Sequence, residues 1–313
     1  MSKPDDCLKV LVVALTYRRA KNLAELLPQL TDQLKFIEDD ASILIVDNDP
    51  LAGAEAQVGE FSRGDARVGY VHASVPGIAA ARNVGLDCAL GFDIVVFIDD
   101  DERPMSQWLA LLIATYREHK SAAVVGPVVS RFPADPDPWI AAGGFFVRDR
   151  VPTGTRVPLA ATNNLLLDMG QIRDFGLRFD ERFGLTGGSD SLFTRQLHAL
   201  GGVMVWCDEA LVYDMVPLER LTRAWVIKRA FRSGNTWLRT SLEIARTPGR
   251  RFALRTELAT RGFVRVIAGS GRAAFGALTG RLDHRARGVR TAARGAGLVA
   301  GALGWVYSEY RRS

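Results

Sequence analysis

The stretch from Ile94 to Asp101 constrains this chain more than any other: IVVFI is an unbroken apolar run, mostly β-branched, that stops at three consecutive aspartates. Bounded by Gly91 and Pro104, it reads as a strand buried on both faces, which requires helices on both sides of the sheet it joins. Ligands of open α/β sheets bind at the carboxyl ends of strands. Three adjacent anions repel one another unless a cation shares their charge. Asp99, Asp100 and Asp101 therefore read as a divalent-metal site with oxygen ligands suited to Mg²⁺ or Mn²⁺. The alternative is an acidic turn capping a helix that begins near Pro104, and position alone leaves both open.

The surrounding chain repeats the same pattern. CLKVLVVALTY gives an apolar strand ending at Thr16, followed by helical spacing through Leu23, Leu26, Leu27, Leu30 and Leu34. SILIVD ends at Asp47, RVGYVH supplies a third strand, and the alanine-rich segment from Ile78 to Leu90 a helix. Beyond the aspartates, WLALLIATYREH is helical and AAVVGPVV is a strand again. Short buried strands alternating with helices define an α/β class with a largely parallel, Rossmann-like sheet. Near Asp135 the alternation breaks at DPDPW and at Gly143 and Gly144, and LAATNNLLL follows as another strand. ERFGLTGGSD then reads as a loop that delivers Asp190 to the start of the helix SLFTRQLHAL, its two glycines permitting a tight turn. Ser189 or Asp190 as a simple helix cap is the plainer reading of the same residues.

The net charge of +5 conceals an asymmetry: from Leu221 to Ser313 the chain carries +15, and the remainder −10. The expected organisation is an acidic α/β body over residues 1–220 and a basic helical extension over 221–313. In the extension, LTRAWVIKRAFRSGNTWLR interleaves tryptophans and aliphatics with arginines, as expected of a helix in a membrane interface. The later stretches FVRVIAGSGRAAFGALTG and GAGLVAGALGWVYSEY fall short of the roughly 20 uninterrupted apolar residues of a spanning helix. A peripheral attachment to an anionic membrane surface is the expectation; helices packed on the body with their arginines outward are the alternative. A nucleic-acid partner is disfavoured, because the arginines lie among many aliphatic residues. MSKPDDCLK lacks the apolar segment of a signal peptide, so export is not expected; with the resemblance given below, the cytoplasmic face of the inner membrane is the expectation. The cysteines, Cys7, Cys88 and Cys207, form neither a disulfide framework nor a zinc spacing and are expected as buried free thiols.

Thr16, Tyr17 and Arg18, then Asp47 and Asn48, Arg82 and Asn83, and the aspartates all fall on one side of the expected sheet. A carboxylate after the second strand can accept from a ribose or base, and an arginine near a metal can offset a diphosphate. Neither GxGxxG nor GxxxxGK[ST] is present, so metal and side chains must handle the phosphates. No serine nucleophile elbow occurs either. In order along the chain, VALTYRR, IVDND, GIAAARNVGL, VVFIDDDE, ATNNLLL and LTGGSDSLF resemble the inverting family 2 glycosyltransferases of the GT-A fold. KRAFRSGNT and the terminal GLVAGALGWVYSEY extend the likeness toward bacterial exopolysaccharide glucosyltransferases of the succinoglycan type.

The resemblance implies roles residue by residue. Asp99 and Asp101 match the DXD motif, Asp101 as the direct ligand of Mn²⁺ or Mg²⁺ bridging a nucleotide-sugar diphosphate, with Asp100 beside them. Asp47 and Asn48 match the position that holds uracil or ribose, Thr16, Tyr17 and Arg18 line the nucleotide, and Arg82 is the basic contact. Asn164 falls on the strand facing donor sugar and acceptor, and Asp190 is the general base. Two positions depart from the family: Ser189 where relatives carry Glu, and VYDMVP, whose Tyr213 stands where many carry a metal-binding His, with Asp214 beside it as a substitute oxygen ligand. The implied reaction is transfer of a hexose, glucose from UDP-glucose, to a polyprenyl-diphosphate-linked saccharide. A catalytically altered nucleotide-sugar-binding or membrane-surface protein is the alternative that these departures motivate.

Overall fold

The computed structural model describes residues 7–307, which leaves the start of MSKPDDCLK and the end of GLVAGALGWVYSEY outside the described residues. The chain divides into two compact units. The first runs through Val129 and adds Arg148–Leu185 and Ser189–Asp214; the second comprises Ser130–Val147, Thr186–Gly188 and the chain from Met215 on. The second unit thus recruits an internal segment besides the basic extension expected from residue 221.

In the first unit, β1 (Lys9–Thr16), α1 (Ala20–Gln33), β2 (Asp40–Asp47), α2 (Glu55–Gly64), β3 (Val68–His72), α3 (Ile78–Cys88) and β4 (Ile94–Asp99) alternate as expected. Then come β5 (Glu102–Pro104), α4 (Trp108–His119), β6 (Ala123–Val125) and β7 (Val128–Arg131), and, after the short α5 (Pro138–Gly143) of the second unit, β8 (Asn164–Asp168). The helices α6 (Met169–Asp174) and α7 (Ser189–Ala199) and the strands β9 (Met204–Trp206) and β10 (Val212–Met215) complete it. The main sheet has seven strands in the order β3-β2-β1-β4-β8-β6-β9. All its pairings are parallel except those of β8, which runs antiparallel between β4 and β6. Two apolar layers cover it. Leu23, Leu26, Leu27 and Leu30 of α1 pack with Trp108 and Leu112 of α4 on one face. Phe97, Phe179, Phe193 and the alanines of α3 fill the other.

Register fixes what stands at the sheet's edge. Thr16 pairs with Asp47, and Leu15 with Asp99, so β1, β2 and β4 end together. Asn164 opens β8 opposite Ile98, at the same edge. The helix-cap alternative for the aspartates does not hold: Glu102–Pro104 is a strand paired with β10, and α4 starts only at Trp108 after Gln107. The expected strand AAVVGPVV breaks at Gly126 and Pro127 into β6 and β7, consistent with proline lacking a ladder donor. All three thiols are free, but only Cys207 is buried; Cys7 and Cys88 are exposed, against expectation.

The second unit is built on α8 (Arg223–Ile244), α9 (Pro248–Leu278) and α10 (Leu282–Ala302). Thr222 and Thr247 cap α8 and α9 by accepting from Trp225 and Arg250 backbone N–H groups. The apolar side of α8 faces inward: Val226 and Trp225 pack with Trp139, Ile140, Phe146 and Ala286, and Leu238 and Leu242 with Leu258 and Leu298. Arg229 lies over the Trp225 and Phe146 rings at 5.3 and 5.6 Å. Among the described residues no helix is long and apolar enough to cross a membrane.

A seam of glycines joins α9 to α10. Gly262, Gly269 and Gly276 recur every seventh residue, about two turns, and so lie along one stripe. A Cβ at Gly269 would stand 2.5 Å from the Ala292 nitrogen and 2.7 Å from the Gly288 oxygen, whereas one at Gly271 meets nothing within 4 Å. Gly269→Ala is therefore expected to destabilise the helical unit by about 1–3 kcal/mol, and Gly271→Ala to be neutral or stabilising by up to roughly 1 kcal/mol. Urea titration followed by helical circular dichroism separates them; equal stabilities would exclude a close-packed seam.

Candidate active site

Backbone geometry concentrates irregularity where β1 ends. Arg18 has φ 55°, a left-handed conformation unusual outside glycine. Its guanidinium lies 5.2 Å from the Tyr17 ring centre and donates from Nε to Asp49 Oδ1 at 3.0 Å. Asp49 is held below the usual carboxylate range because this bond, and one from the Leu51 N–H, outweigh the cost of its burial. The loop after β2 thus docks onto the turn after β1.

Asp47 and Asn48 hold that loop from within. Asp47 accepts from the Asp49 and Ala54 backbone N–H groups, both at 2.9 Å, and from the Tyr70 hydroxyl at 3.2 Å. Asn48 donates to the Ala73 and Val75 carbonyls at 2.6 and 2.7 Å and accepts from the Gly77 N–H at 3.0 Å. Both side chains are buried. The carboxylate and amide expected at the base or ribose also build the walls of the site.

The aspartates face different partners. Asp100 is buried and accepts from Thr16 Oγ1 at 2.8 Å. Arg19 Nη1 donates to Asp100 at 2.7 Å and to Asp101 at 3.0 Å, bridging them. Burial alone would favour a neutral Arg19, but Asp100 and Asp101 outweigh it and hold the guanidinium charged. Asp99 is pushed up to about 7, first by desolvation, with Asp101 and Asp100 adding to it and Arg82 opposing. Asp100 is raised by burial as well, against the pull of Arg19. The next residue, Glu102, is fully buried and raised well above the usual range by burial and by Asp99, with Arg148 opposing. It accepts from Asn163 Nδ2 at 2.5 Å and from the Asp99 N–H at 3.2 Å. Antiparallel pairing sets Asp214 opposite Glu102, and Asp214 lies 3.4 Å from Arg148.

On the other side, Arg82 is buried on α3, donates from Nη1 to Ser189 Oγ at 3.1 Å and lies 5.6 Å from the Phe179 ring centre. Its charge acts on Asp99. Asn83 pins the chain at Phe179, donating to its carbonyl at 3.0 Å and accepting from its N–H at 2.9 Å. Gly187 and Gly188 take φ values of 77° and 96°, the left-handed region that the double glycine permits. Asp190, half-buried in the first turn of α7, accepts from the Ser191 N–H at 2.7 Å.

Asn164 stands apart from the expectation of a ligand-facing amide. It is buried, accepts from Trp108 Nε1 at 2.8 Å and donates to the Pro127 and Ala210 carbonyls at 3.0 and 2.7 Å. A side chain so engaged has no polar group left to turn toward a sugar, since releasing those bonds would leave buried partners unsatisfied. Its neighbour Asn163 is the amide that reaches the carboxylates. Arg19, Glu102, Asn163 and Arg148 were not singled out in the sequence. Arg19, Glu102 and Asn163 sit inside VALTYRR, VVFIDDDE and ATNNLLL, and a second charge or amide beside a motif residue was the signal available.

Among the described residues, no group of three or more His, Cys, Asp or Glu is placed to hold a metal ion. Asp214 lies against Arg148, and Arg19 bridges Asp101 to Asp100. The donor chemistry nevertheless fits a hard divalent cation. Such an ion takes one or two protein carboxylates and fills its remaining positions with phosphate and water oxygens, and a crowd of desolvated carboxylates is relieved by added positive charge.

Strand ends aligned by register thus bring Thr16, Asp47 and the β4 acids to one edge of a mostly parallel α/β sheet. The glycosyl transferase family 2 model matches residues 11–168, and the chain belongs to that family, with the GT-A fold. It is 34% identical over 234 residues to the succinoglycan biosynthesis protein ExoM of Rhizobium meliloti (strain 1021), covering 74% of this chain and 75% of that protein. Among solved structures, the mannosyltransferase PcManGT from Pyrobaculum calidifontis in complex with GDP-Man and Mn²⁺ aligns with TM-score 0.66 and 18% identity, over 95% of this chain and 88% of that one. S. aureus TarS 1–349 in complex with UDP-GlcNAc aligns with TM-score 0.54 and 17% identity, covering 91% of each. GalNAc-T7 with UDP, GalNAc and Mn²⁺ aligns with TM-score 0.54 and 15% identity over 69% of this chain, which spans 45% of that protein's chain.

Proton and metal should compete at Asp99. With its pKa raised to about 7 in the fold, its contribution to stability is present at low pH and is lost as pH rises through about 7. A divalent ion held by Asp99 would have to displace that proton, so any Mn²⁺-induced rise in Tm would be larger at about pH 8 than at about pH 6. Asp99→Asn should abolish the difference. Differential scanning fluorimetry reads both, and equal Mn²⁺ shifts at the two pH values would exclude a proton-for-metal exchange here.

Proposed function

We propose that the chain is a metal-dependent inverting hexosyltransferase that moves glucose from UDP-glucose to a lipid-linked saccharide during assembly of a bacterial exopolysaccharide. The observation that carries this reading is Arg82, which contacts Ser189, the residue before Asp190, and acts electrostatically on Asp99. Acceptor activation and diphosphate departure thereby share one buried cation. The named role of the Rhizobium relative in succinoglycan biosynthesis supports the pathway class. Nucleotide sugars and Mn²⁺ in the structural neighbours support the donor class and the metal.

In this reading Asp190 takes the proton of the acceptor hydroxyl as its oxygen attacks the anomeric carbon, and the bond from that carbon to the diphosphate oxygen breaks on the opposite face. A divalent ion held by Asp99 and Asp101, when bound, offsets the charge that gathers on the leaving diphosphate. Arg18 and Arg19 border the diphosphate side, with Thr16 and Tyr17 along the nucleotide and Asp47 and Asn48 holding the loop that meets its base. Asp100 keeps Thr16 and Arg19 in place, and Asp214 fixes Arg148 against Glu102. Because the acceptor is carried by a polyprenyl diphosphate, the protein works peripherally at an anionic membrane surface on the cytoplasmic face of the inner membrane.

Asp190→Asn is expected to lower kcat for sugar transfer by about a hundredfold or more while leaving UDP affinity within about threefold, since the amide keeps the shape and loses the base. Transfer measured with radiolabelled UDP-glucose and a lipid-linked acceptor, beside UDP calorimetry, checks both. Wild-type turnover by the variant would remove Asp190 from the role of base. UDP binding without turnover by the wild type, across a donor panel, would favour the binding-protein alternative.

A further inference from the structure

The glycine seam gives α9 two unlike sides. Gly262, Gly269 and Gly276 are buried, and on the roughly opposite side stand Phe252, Phe263, Ile267 and Leu278, exposed by 74%, 61%, 59% and 88%. Their separations are eleven, four and eleven residues, about three turns, one turn and three turns, so all four side chains fall within one narrow arc of the helix. Val264 and Phe275 continue that arc and are exposed too. Large aromatic and aliphatic residues recur along this arc, with Thr256, Thr260 and Ser270 between them, and such exposed apolar side chains on one side of a helix mark an interaction surface.

The charges beside the arc identify the partner. Within α9 there are six arginines, Arg250, Arg251, Arg255, Arg261, Arg265 and Arg272, and one acid, Glu257. Arg250, Arg261 and Arg272 follow one edge of the apolar arc and Arg255 the other, while Arg251 and Arg265 fall toward the glycine seam; cations beside the arc are what a helix lying in a headgroup layer places at the level of lipid phosphates. A second copy of this basic helix would match the apolar arc but bring like charge beside it; an anionic bilayer matches the arc and the arginines together. Since no described helix can span, the mode is insertion parallel to the surface.

We propose that the outer face of α9, with Phe252, Phe263, Ile267 and Leu278 inserted, is the surface by which this protein seats on an anionic phospholipid bilayer. The inference rests on the membrane reading above and assigns it to a different element from the α8 segment that the sequence favours. Of the large apolar residues of α8, Trp225, Val226, Leu238 and Leu242 are packed inside their own unit and only Trp237 reaches the surface, whereas the phenylalanines and Ile267 of α9 are open.

The test is co-sedimentation of the full chain with phosphatidylcholine vesicles and with vesicles containing phosphatidylglycerol. Wild type is expected to pellet with the anionic vesicles and far less with the neutral ones. Phe263→Glu with Ile267→Glu is expected to weaken that partition by about tenfold or more, with helical circular dichroism and Tm unchanged because both residues are exposed. The milder Ile267→Ala should weaken it by a smaller factor. If wild type pellets and the double variant pellets equally, the assignment to α9 is overturned while membrane attachment stands. If wild type pellets with neither vesicle, both fall. A dimer in sedimentation velocity that becomes monomeric in the double variant, without vesicle affinity, would identify a second copy as the occupant and overturn the proposal.

Discussion

Electrostatic crowding at the carboxyl end of β4 is the constraint from which the rest of the catalytic unit follows. Four consecutive acids, Asp99 to Glu102, stand where a hydrophobic strand leaves the core, and desolvation raises Asp99, Asp100 and Glu102 above the ordinary carboxylate range. Such a group persists in a fold only if neighbours supply countercharge and hydrogen bonds. Each surrounding element does so: β1 delivers Thr16 and Arg19, α3 delivers Arg82, the chain before β8 delivers Asn163, and Arg148 sits between Glu102 and Asp214. The compensation is partial, since Asp99 remains raised to about 7. A site left short of positive charge is one that gains from binding it.

Polar side chains near this edge divide between those that hold walls and those that face the acids. Asn164 and Asn48 are fully engaged with backbone carbonyls and N–H groups. They convert a sheet edge into fixed loops, and their amides are costly to release. Asn163 and Arg19 reach the carboxylates themselves. Asn163 lies in the turn just before β8 and Asn164 opens the strand, and the two amides go to different partners.

Period and position made the parallel half of the sheet legible. β1, β2, β3 and β4, with α1, α3 and α4 between and after them, follow from apolar runs and leucine spacing, because strands buried on both faces have no other composition open to them. The antiparallel placement of β8 was not legible, since LLL carries no mark of direction, and neither was the break at Gly126 and Pro127. At the site, the order of the motifs gave the positions of Thr16, Asp47, Arg82 and Asp99. Which member of an acidic or amide pair turns inward depends on strand register and on partners distant in sequence, such as Trp108 for Asn164. No local pattern encodes that choice.

The helical unit makes the same point with the opposite sign. Hydrophobic patterning places large apolar side chains inward and small or polar ones outward, and α9 reverses this. Its glycines are the packed stripe, because without a Cβ the α9 and α10 backbones approach to distances at which any side chain would collide. Once the seam has claimed that side, the phenylalanines and Ile267 have no place left but the surface. Close backbone packing, beside the buried Leu258–Leu298 contact, holds α9 to α10, and this leaves the side with the phenylalanines for something outside the unit. A helix stabilised by its large apolar residues would have had none to present. The exposed arc of α9 is therefore a consequence of how the seam is built, and six arginines along the same helix fix the sign of what it can meet.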